Sequence, residues 1–401
     1  MNRVLLVVMV DALRFDFIRS DTMPWVHGLR KRGAVSSVVE ETFGFIGVRG
    51  AVFYGLYPKD TGYVFLYNLV ERSGDFAYLR YVPSFLLDAS RRLKRKTGRL
   101  HNRIKAKFDD EYLGAWNLAR MPARVIKRLD IAEKVVPWSK RYLPGRQSIF
   151  DHVDSYLYLG YPATHGTNEL IMADFAKGFS NQRFVWTHFG QVDWDEHEYG
   201  PESAQVTAAL NDIDGCIRSL YEKASAEADV DLVVFGDHGC LAIEEYEDVL
   251  GLLPRPLLQD CERFVDSTMA RFWCGRAETA DAIREILEKR SDLGVVVDRQ
   301  TLEQKYQCRY ERKIFGDVLF VIHAGKIILP NFFQAERDGI RGMHGYLPEV
   351  EQNCAAVLVH SEKNVSLPER MQMPEMHGVL MTLLDDDRGS TSSAPAGDSR
   401  S

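Results

Sequence analysis

The sequence has no CxxC pair, no apolar run long enough to cross a bilayer and only a modest net charge, and each of these absences removes a class of protein. Its six cysteines, Cys216, Cys240, Cys261, Cys274, Cys308 and Cys354, are scattered singly, which excludes a zinc ribbon and argues against a disulfide framework. A reducing, cytoplasmic setting is expected. No hydrophobic stretch approaches the ~18 to 20 residues of a membrane span. The opening MNRVLLVVMVDALRFDF is like a signal peptide only in its apolar part, which is short, lacks a small-residue cleavage site and ends on Asp11. It reads as a first strand. With 401 residues and 45% hydrophobic content, the chain is long enough for a large core and for two or three structural units.

The formal charge of −7 conceals an asymmetry. The stretch from Phe76 to Arg146, with RRLKRKTGRLHNRIKAK and ARVIKRL, carries about a dozen net positive charges, so the rest of the chain is strongly acidic. Tyr81, Phe85, Leu86, Leu87, Leu93, Leu100, Ile104, Phe108 and Trp116 are interleaved with those charges. The pattern predicts an inserted helical cap. It serves either as a lid over a polyanionic substrate or as a surface in peripheral contact with anionic membrane. No specific nucleic-acid partner is expected.

The chemistry lies where strands end. Val4 to Val10 is a continuous apolar run suited to a strand covered on both faces, and Asp11 stands at its carboxyl end, where ligands bind in open α/β sheets. Phe184 to Trp186 opens a second buried strand that turns at Gly190 into Asp193 and His197, four residues apart and on one face of a helical segment. Asp231 to Phe235 is a third strand, running into Gly236, Asp237, His238 and Gly239. His344 follows in GMHGY. Three carboxylates and three imidazoles suffice for two metal ions, and mixed oxygen and nitrogen donors suit zinc or manganese better than calcium or magnesium. Two such ions can clamp the attacking and leaving oxygens of a phosphoryl transfer.

The ordered set VVMVDALR, GLYP, VDWDEHEYGP, GDHG and GMHGY resembles the alkaline phosphatase superfamily, and within it the type I phosphodiesterase/nucleotide pyrophosphatase branch. The resemblance implies an α/β fold with a central, largely parallel sheet between two layers of helices. It also implies one metal on Asp193, His197 and His344, and a second on Asp11, Asp237, His238 and the nucleophile. The nucleophile departs from the pattern. The family's Thr or Ser, counted back from Gly55 of GLYP, falls on Phe45, and Thr42 is the only aliphatic hydroxyl between Val38 and Gly55. Thr42 is therefore the candidate nucleophile and a metal ligand, with Arg49 and Asn68 as candidate catalytic groups contacting the phosphate of a small-molecule ester.

These readings divide the chain into core at 1–70, 148–253 and 335–384, the basic cap at 71–147, a small α+β insert at 254–334 and a disordered tail at 385–401. The expected activity is dimetal hydrolysis of phosphodiesters or pyrophosphates. The alternatives are a catalytically impaired phosphate-binding relative, or a phosphomonoesterase or sulfatase-like hydrolase with the same cage. The CxPxR-like motif of sulfatases is absent.

Overall fold

Val4 to Val10 are all buried in the computed structural model, which describes residues 3–71, 74–115, 118–162, 167–334 and 339–385. Along the chain come β1 (Arg3–Val10), α1 (Pro24–Leu29), β2 (Val35–Glu40), α2 (Val48–Tyr54), β3 (Tyr67–Leu69), α3 (Arg91–Phe108) and β4 (Leu129–Ile131). Next are β5 (Tyr156–Leu159), α4 (Asn168–Gly178), β6 (Phe184–Phe189), α5 (Gln191–Tyr199), α6 (Ala204–Ser225) and β7 (Asp229–Phe235). The remainder holds β8 (Cys261–Val265), β9 (Met269–Cys274), α7 (Ala277–Glu288), β10 (Gly294–Val296), β11 (Val318–Ile322), β12 (Ala355–His360), β13 (Arg370–Gln372) and α8 (Glu375–Leu384).

Seven strands form one sheet in the order β13-β2-β12-β7-β1-β6-β5. Only β12 runs antiparallel to its neighbours. Side chains alternate across β1, and the alternation splits the core in two. Val4, Leu6, Val8 and Val10 pack with α1, α4 and α6, whereas Leu5, Val7 and Met9 pack with α2 and α8. Covering both faces is what permits an uninterrupted apolar strand. The expected α/β architecture is thus the one observed.

The topology places six chain exits on one edge. β1, β5, β6 and β7 pair in parallel, β2 has the same sense because β12 is antiparallel to both β2 and β7, and β13 is parallel to β2. The reversed strand β12 is entered from that same edge, so the loop that precedes it, with His344, arrives beside the others.

The segment expected to be a helical cap contains one long helix, α3. Its second half, interrupted by Pro122, Pro137 and Pro144, folds as short turns and as β4, which returns to pair with β3, Tyr67 opposite Ile131. Trp116 and residues 386–401 of the tail lie outside the described residues. The next segment forms an antiparallel sheet in the order β8-β9-β11-β10, covered by α7 through Ala280, Ile283 and Leu287. Arg271 on β9 joins it to β3. Its buried guanidinium lies 3.8 Å from the Phe65 ring centre and donates to the Tyr67 carbonyl at 3.0 Å.

Two glycines test the packing at the carboxyl edge of the sheet and away from it. A Cβ on Gly236 would lie 2.4 Å from the Leu13 carbonyl oxygen, whereas one on Gly215, inside α6, meets nothing within 4 Å. Gly236→Ala is expected to destabilise by ~1 to 3 kcal/mol through overpacking. Gly215→Ala is expected to stabilise by ~0.5 to 1 kcal/mol through helix propensity and a less flexible unfolded chain. Urea unfolding midpoints of the two variants check both signs.

Candidate metal centre

The carboxyl edge gathers the side chains singled out from sequence. Asp11 follows β1, Asp193 and His197 stand one turn apart on α5, and Asp237 and His238 follow β7 between glycines. Those glycines are sterically required, since a Cβ on Gly239 would sit 2.0 Å from the Gln352 carbonyl oxygen. Two groups of donor atoms form, Asp193 with His197 and His344, and Asp11 with Asp193 and His238, each with all its atoms within 4.8 Å of one another. Asp193 belongs to both. Asp237 lies beside the second group, its Oδ2 3.8 Å from His238 Nε2. Its Oδ1 accepts from the backbone N–H of Ala12 and of His238, each at 3.1 Å.

The imidazoles are oriented from behind. His197 Nδ1 donates to the Gly342 carbonyl at 2.8 Å, and His238 Nδ1 donates to that of Gly239 at 3.0 Å. Each Nε2 is thereby turned toward carboxylate. His197 Nε2 lies 3.3 Å and His344 Nε2 3.8 Å from Asp193 Oδ1. That oxygen is buried and accepts no hydrogen bond among the described residues. The His197 Nε2 lone pair and the Asp193 oxygen thus converge without a proton between them, and with His344 alongside they make a donor set that fits a divalent cation. The His238 and His344 rings stack with centres 3.8 Å apart, which brings the two groups side by side.

The titration shifts follow from this crowding. Burial pushes Asp193 up to about 6, and burial together with the Asp11 charge raises Asp237. Burial works against ionisation of Asp11 too, but hydrogen bonds from His188 and His238 outweigh it and hold that carboxyl well below its ordinary range. Burial would lower His238, yet Asp237 and Asp11 push it well above an ordinary imidazole. Burial and the neighbouring His238 and His197 drive His344 well below. Without a cation, the edge distributes protons to relieve its own repulsion.

The other three candidates are placed differently. Thr42 lies just past β2, at the start of the loop that leads to α2, and its Oγ1 lies over Gly47, 2.9 Å from where a Cβ would stand. Among the described residues no hydrogen bond or ion pair joins Thr42 to either donor group. The counted position, Phe45, sets its ring edge-on to His344 with centres 6.0 Å apart. Arg49 is not a free guanidinium awaiting phosphate, because its Nη1 is bound to Glu133, which also accepts from the Tyr142 hydroxyl. Asn68, buried on β3, has a carboxamide oxygen without a partner, and no hydrogen bond joins it to the donor groups among the described residues.

Three groups escaped the sequence reading. His188, paired with Met9 across β6 and β1, spans from the Tyr161 carbonyl at its Nδ1 (3.1 Å) to Asp11 Oδ2 at its Nε2 (3.0 Å). Both partners are acceptors, so the ring carries two protons, and Asp11 raises its pKa against the opposing effect of burial. Glu196 on α5 is fully buried with neither oxygen hydrogen-bonded among the described residues, and burial holds it well above the carboxylate range. Glu41, adjacent to Thr42, accepts from Asn353 at 2.7 Å, and burial lifts it to about 8, with His238 opposing and Asp237 adding. A lone imidazole in an apolar strand and an acid beside a metal-type pair were the available signals.

Comparison with known proteins agrees with this geometry. Residues 76–347 match the family described as type I phosphodiesterase / nucleotide pyrophosphatase. No curated protein sequence matches the chain. Among solved structures, human ectonucleotide pyrophosphatase/phosphodiesterase 5 superposes with a TM-score of 0.66 at 15% identity, over 95% of this chain and 94% of that one. Its murine counterpart, inactive through replacement of a threonine by alanine and in complex with AMP, superposes with a TM-score of 0.65 at 14% identity. That match spans 96% of this chain and 95% of the other.

The Glu41 shift has a signed consequence in protein stripped of metal by a chelator. With a folded pKa of about 8 against an ordinary 4.5, the native state holds one proton more than the unfolded chain between those values. That contribution to stability is full below pH 4.5 and is lost as pH rises to about 8, at up to ~1.4 kcal/mol per pH unit. Glu41→Gln keeps an oxygen for Asn353 and removes the titration. The difference in unfolding free energy between variant and wild type is expected to grow in the variant's favour across this window, as read from urea titrations at several pH values.

Proposed function

The chain belongs to the type I phosphodiesterase/nucleotide pyrophosphatase family of the alkaline phosphatase superfamily and is a phosphodiesterase-type hydrolase; we propose that it cleaves nucleotide-like phosphodiesters or pyrophosphates at two divalent cations, zinc or manganese, using Thr42 as nucleophile. The observation that carries this reading is Asp193, shared by two donor groups whose imidazole nitrogens face carboxylate oxygens. One cation would be held by Asp193, His197 and His344. The other would be held by Asp11 and His238, with Asp193 between the two sites and Asp237 Oδ2 alongside. The ions would supply the charge that stabilises the attacking and leaving oxygens.

The chain's own residues do the rest. The Nδ1 protons of His197 and His238, fixed on backbone carbonyls, keep both Nε2 atoms aimed inward. His188 anchors Asp11 to the Tyr161 loop. Thr42 Oγ would bond to phosphorus as one ester oxygen leaves and takes up the hydroxyl's proton, forming a threonyl phosphodiester that still carries the substrate's other ester group and that water then hydrolyses. The position of Thr42 at the end of β2 supports this role, as does the inactivity of the murine relative that lacks a threonine. The AMP held by that relative supports a nucleotide-type substrate. Arg49 stays paired with Glu133, and in this reading it positions the Tyr161 ring, 5.0 Å away, while Asn68 offers its amide to a phosphate oxygen.

The test is a panel of nucleotide diesters, pyrophosphates and monoesters, assayed with zinc and with manganese, on wild type, Thr42→Ala and Asp193→Asn. Diesters or pyrophosphates should turn over faster than monoesters. Thr42→Ala should lose several orders of magnitude in kcat while keeping its metal-induced rise in Tm, and wild type quenched during turnover of a nucleotide diester should carry the nucleotidyl group on Thr42. In Asp193→Asn the rise in Tm should shrink; for wild type it corresponds to about 2.7 kcal/mol at a metal concentration about 100 times Kd. A Thr42→Ala enzyme at near-normal rate would remove the nucleophile assignment, and an unchanged Tm rise in Asp193→Asn would remove the metal assignment.

A further inference from the structure

The helix α3 is built in three stripes. Lys94, Gly98 and His101 face the protein. Lys94 Nζ donates to the Met121 carbonyl at 2.8 Å, Gly98 lies against Leu118, and the His101 ring sits 4.3 Å from that of Phe76. A second stripe, Leu93, Leu100, Ile104 and Phe108, recurs at helical spacing and is exposed, Phe108 to 82%. The third, Arg92, Lys96, Arg99, Arg103 and Lys107, runs beside it in solvent. The helix carries nine Lys and Arg and no acid. Just before it, Tyr81, Phe85 and Leu86 are exposed on the preceding turns. Of thirteen exposed large apolar side chains among the described residues, eight fall between Tyr78 and Phe108, so the apolar surface is concentrated at this one place.

We propose that α3, with the turn carrying Phe85 and Leu86, docks this protein onto an anionic lipid bilayer, the helix lying flat with its apolar stripe in the acyl boundary and its basic stripe among the head groups. Charge decides among occupants. A second copy of the chain would bring the same basic stripe against itself, and a polynucleotide would leave Leu93, Leu100, Ile104 and Phe108 in water. A bilayer with negative head groups satisfies both stripes at once. No helix among the described residues is long and apolar enough to cross a membrane, so the contact is peripheral. The segment's link to the catalytic edge runs through its other half, where Glu133 and Tyr142 reach Arg49. Docking by α3 therefore stands independently of the catalytic reading.

The experiment floats the full-length protein with vesicles of phosphatidylcholine alone or mixed with phosphatidylglycerol, across a salt series. Binding is expected on the mixed vesicles only and falls as salt rises. Neutralising Arg92, Lys96, Arg99, Arg103 and Lys107 to Gln should weaken it by roughly five-fold per charge. Leu100→Ser with Ile104→Ser and Phe108→Ser should abolish it, and all these variants should keep the wild-type Tm because the side chains are solvent-exposed. A Leu100→Trp reporter should blue-shift and be quenched by brominated lipid only with the anionic vesicles. Equal binding to neutral vesicles, no binding to anionic ones, or a blue shift without lipid accompanied by a doubled molecular mass would overturn the proposal.

Discussion

Three carboxylates and three imidazoles brought together at one edge of a sheet repel or compete for protons unless a positive charge lies among them, and the rest of the fold can be understood as the means of holding them there. Asp193 Oδ1 has two imidazole nitrogens within 3.8 Å and no hydrogen bond. Asp11 needs two imidazoles to remain ionised. Such an arrangement is costly in an empty pocket and favourable around cations, because the cation replaces several shared protons at once. The doubly covered strand β1 provides the rigidity. Its two faces are locked into separate apolar cores, so the edge cannot relax apart to relieve its charges.

Much of this was legible in the sequence because strand ends are legible. A run such as Val4 to Val10 announces a buried parallel strand, and a carboxylate at its end announces an edge position. The same logic found Asp193 with His197 and Asp237 with His238. His344 was found through its glycine-flanked setting and the family resemblance, and the structure adds the reason for its place: β12 is reversed. What escaped depends on tertiary pairing. His188 looked like one residue of a strand, and only the register with β1 turns it toward Asp11. Arg49 looked free because Glu133, its partner, lies 84 residues away in a segment with few constraints of its own. Glu41 and Glu196 were not singled out, since sequence carries no direct record of burial.

Thr42 marks the limit of spacing arguments. The family offset falls on Phe45, whose ring packs against His344, so the chain between β2 and α2 takes a path of its own here. The hydroxyl remains at the end of β2, beside a buried Glu41 whose charge is suppressed by its surroundings. The basic segment shows the complementary limit. Its charge and apolar spacing were visible at once, whereas its division into a surface helix and a return leg that reaches Arg49 required β4 to be seen pairing with β3.

The central claim is that Asp193 lies between two cations. Crystals soaked with zinc or manganese and measured at the metal absorption edge test it most directly. The account predicts two anomalous peaks flanking the Asp193 carboxylate, one by His197 and His344 and the other by Asp11 and His238. A single peak, or peaks away from Asp193, would contradict it.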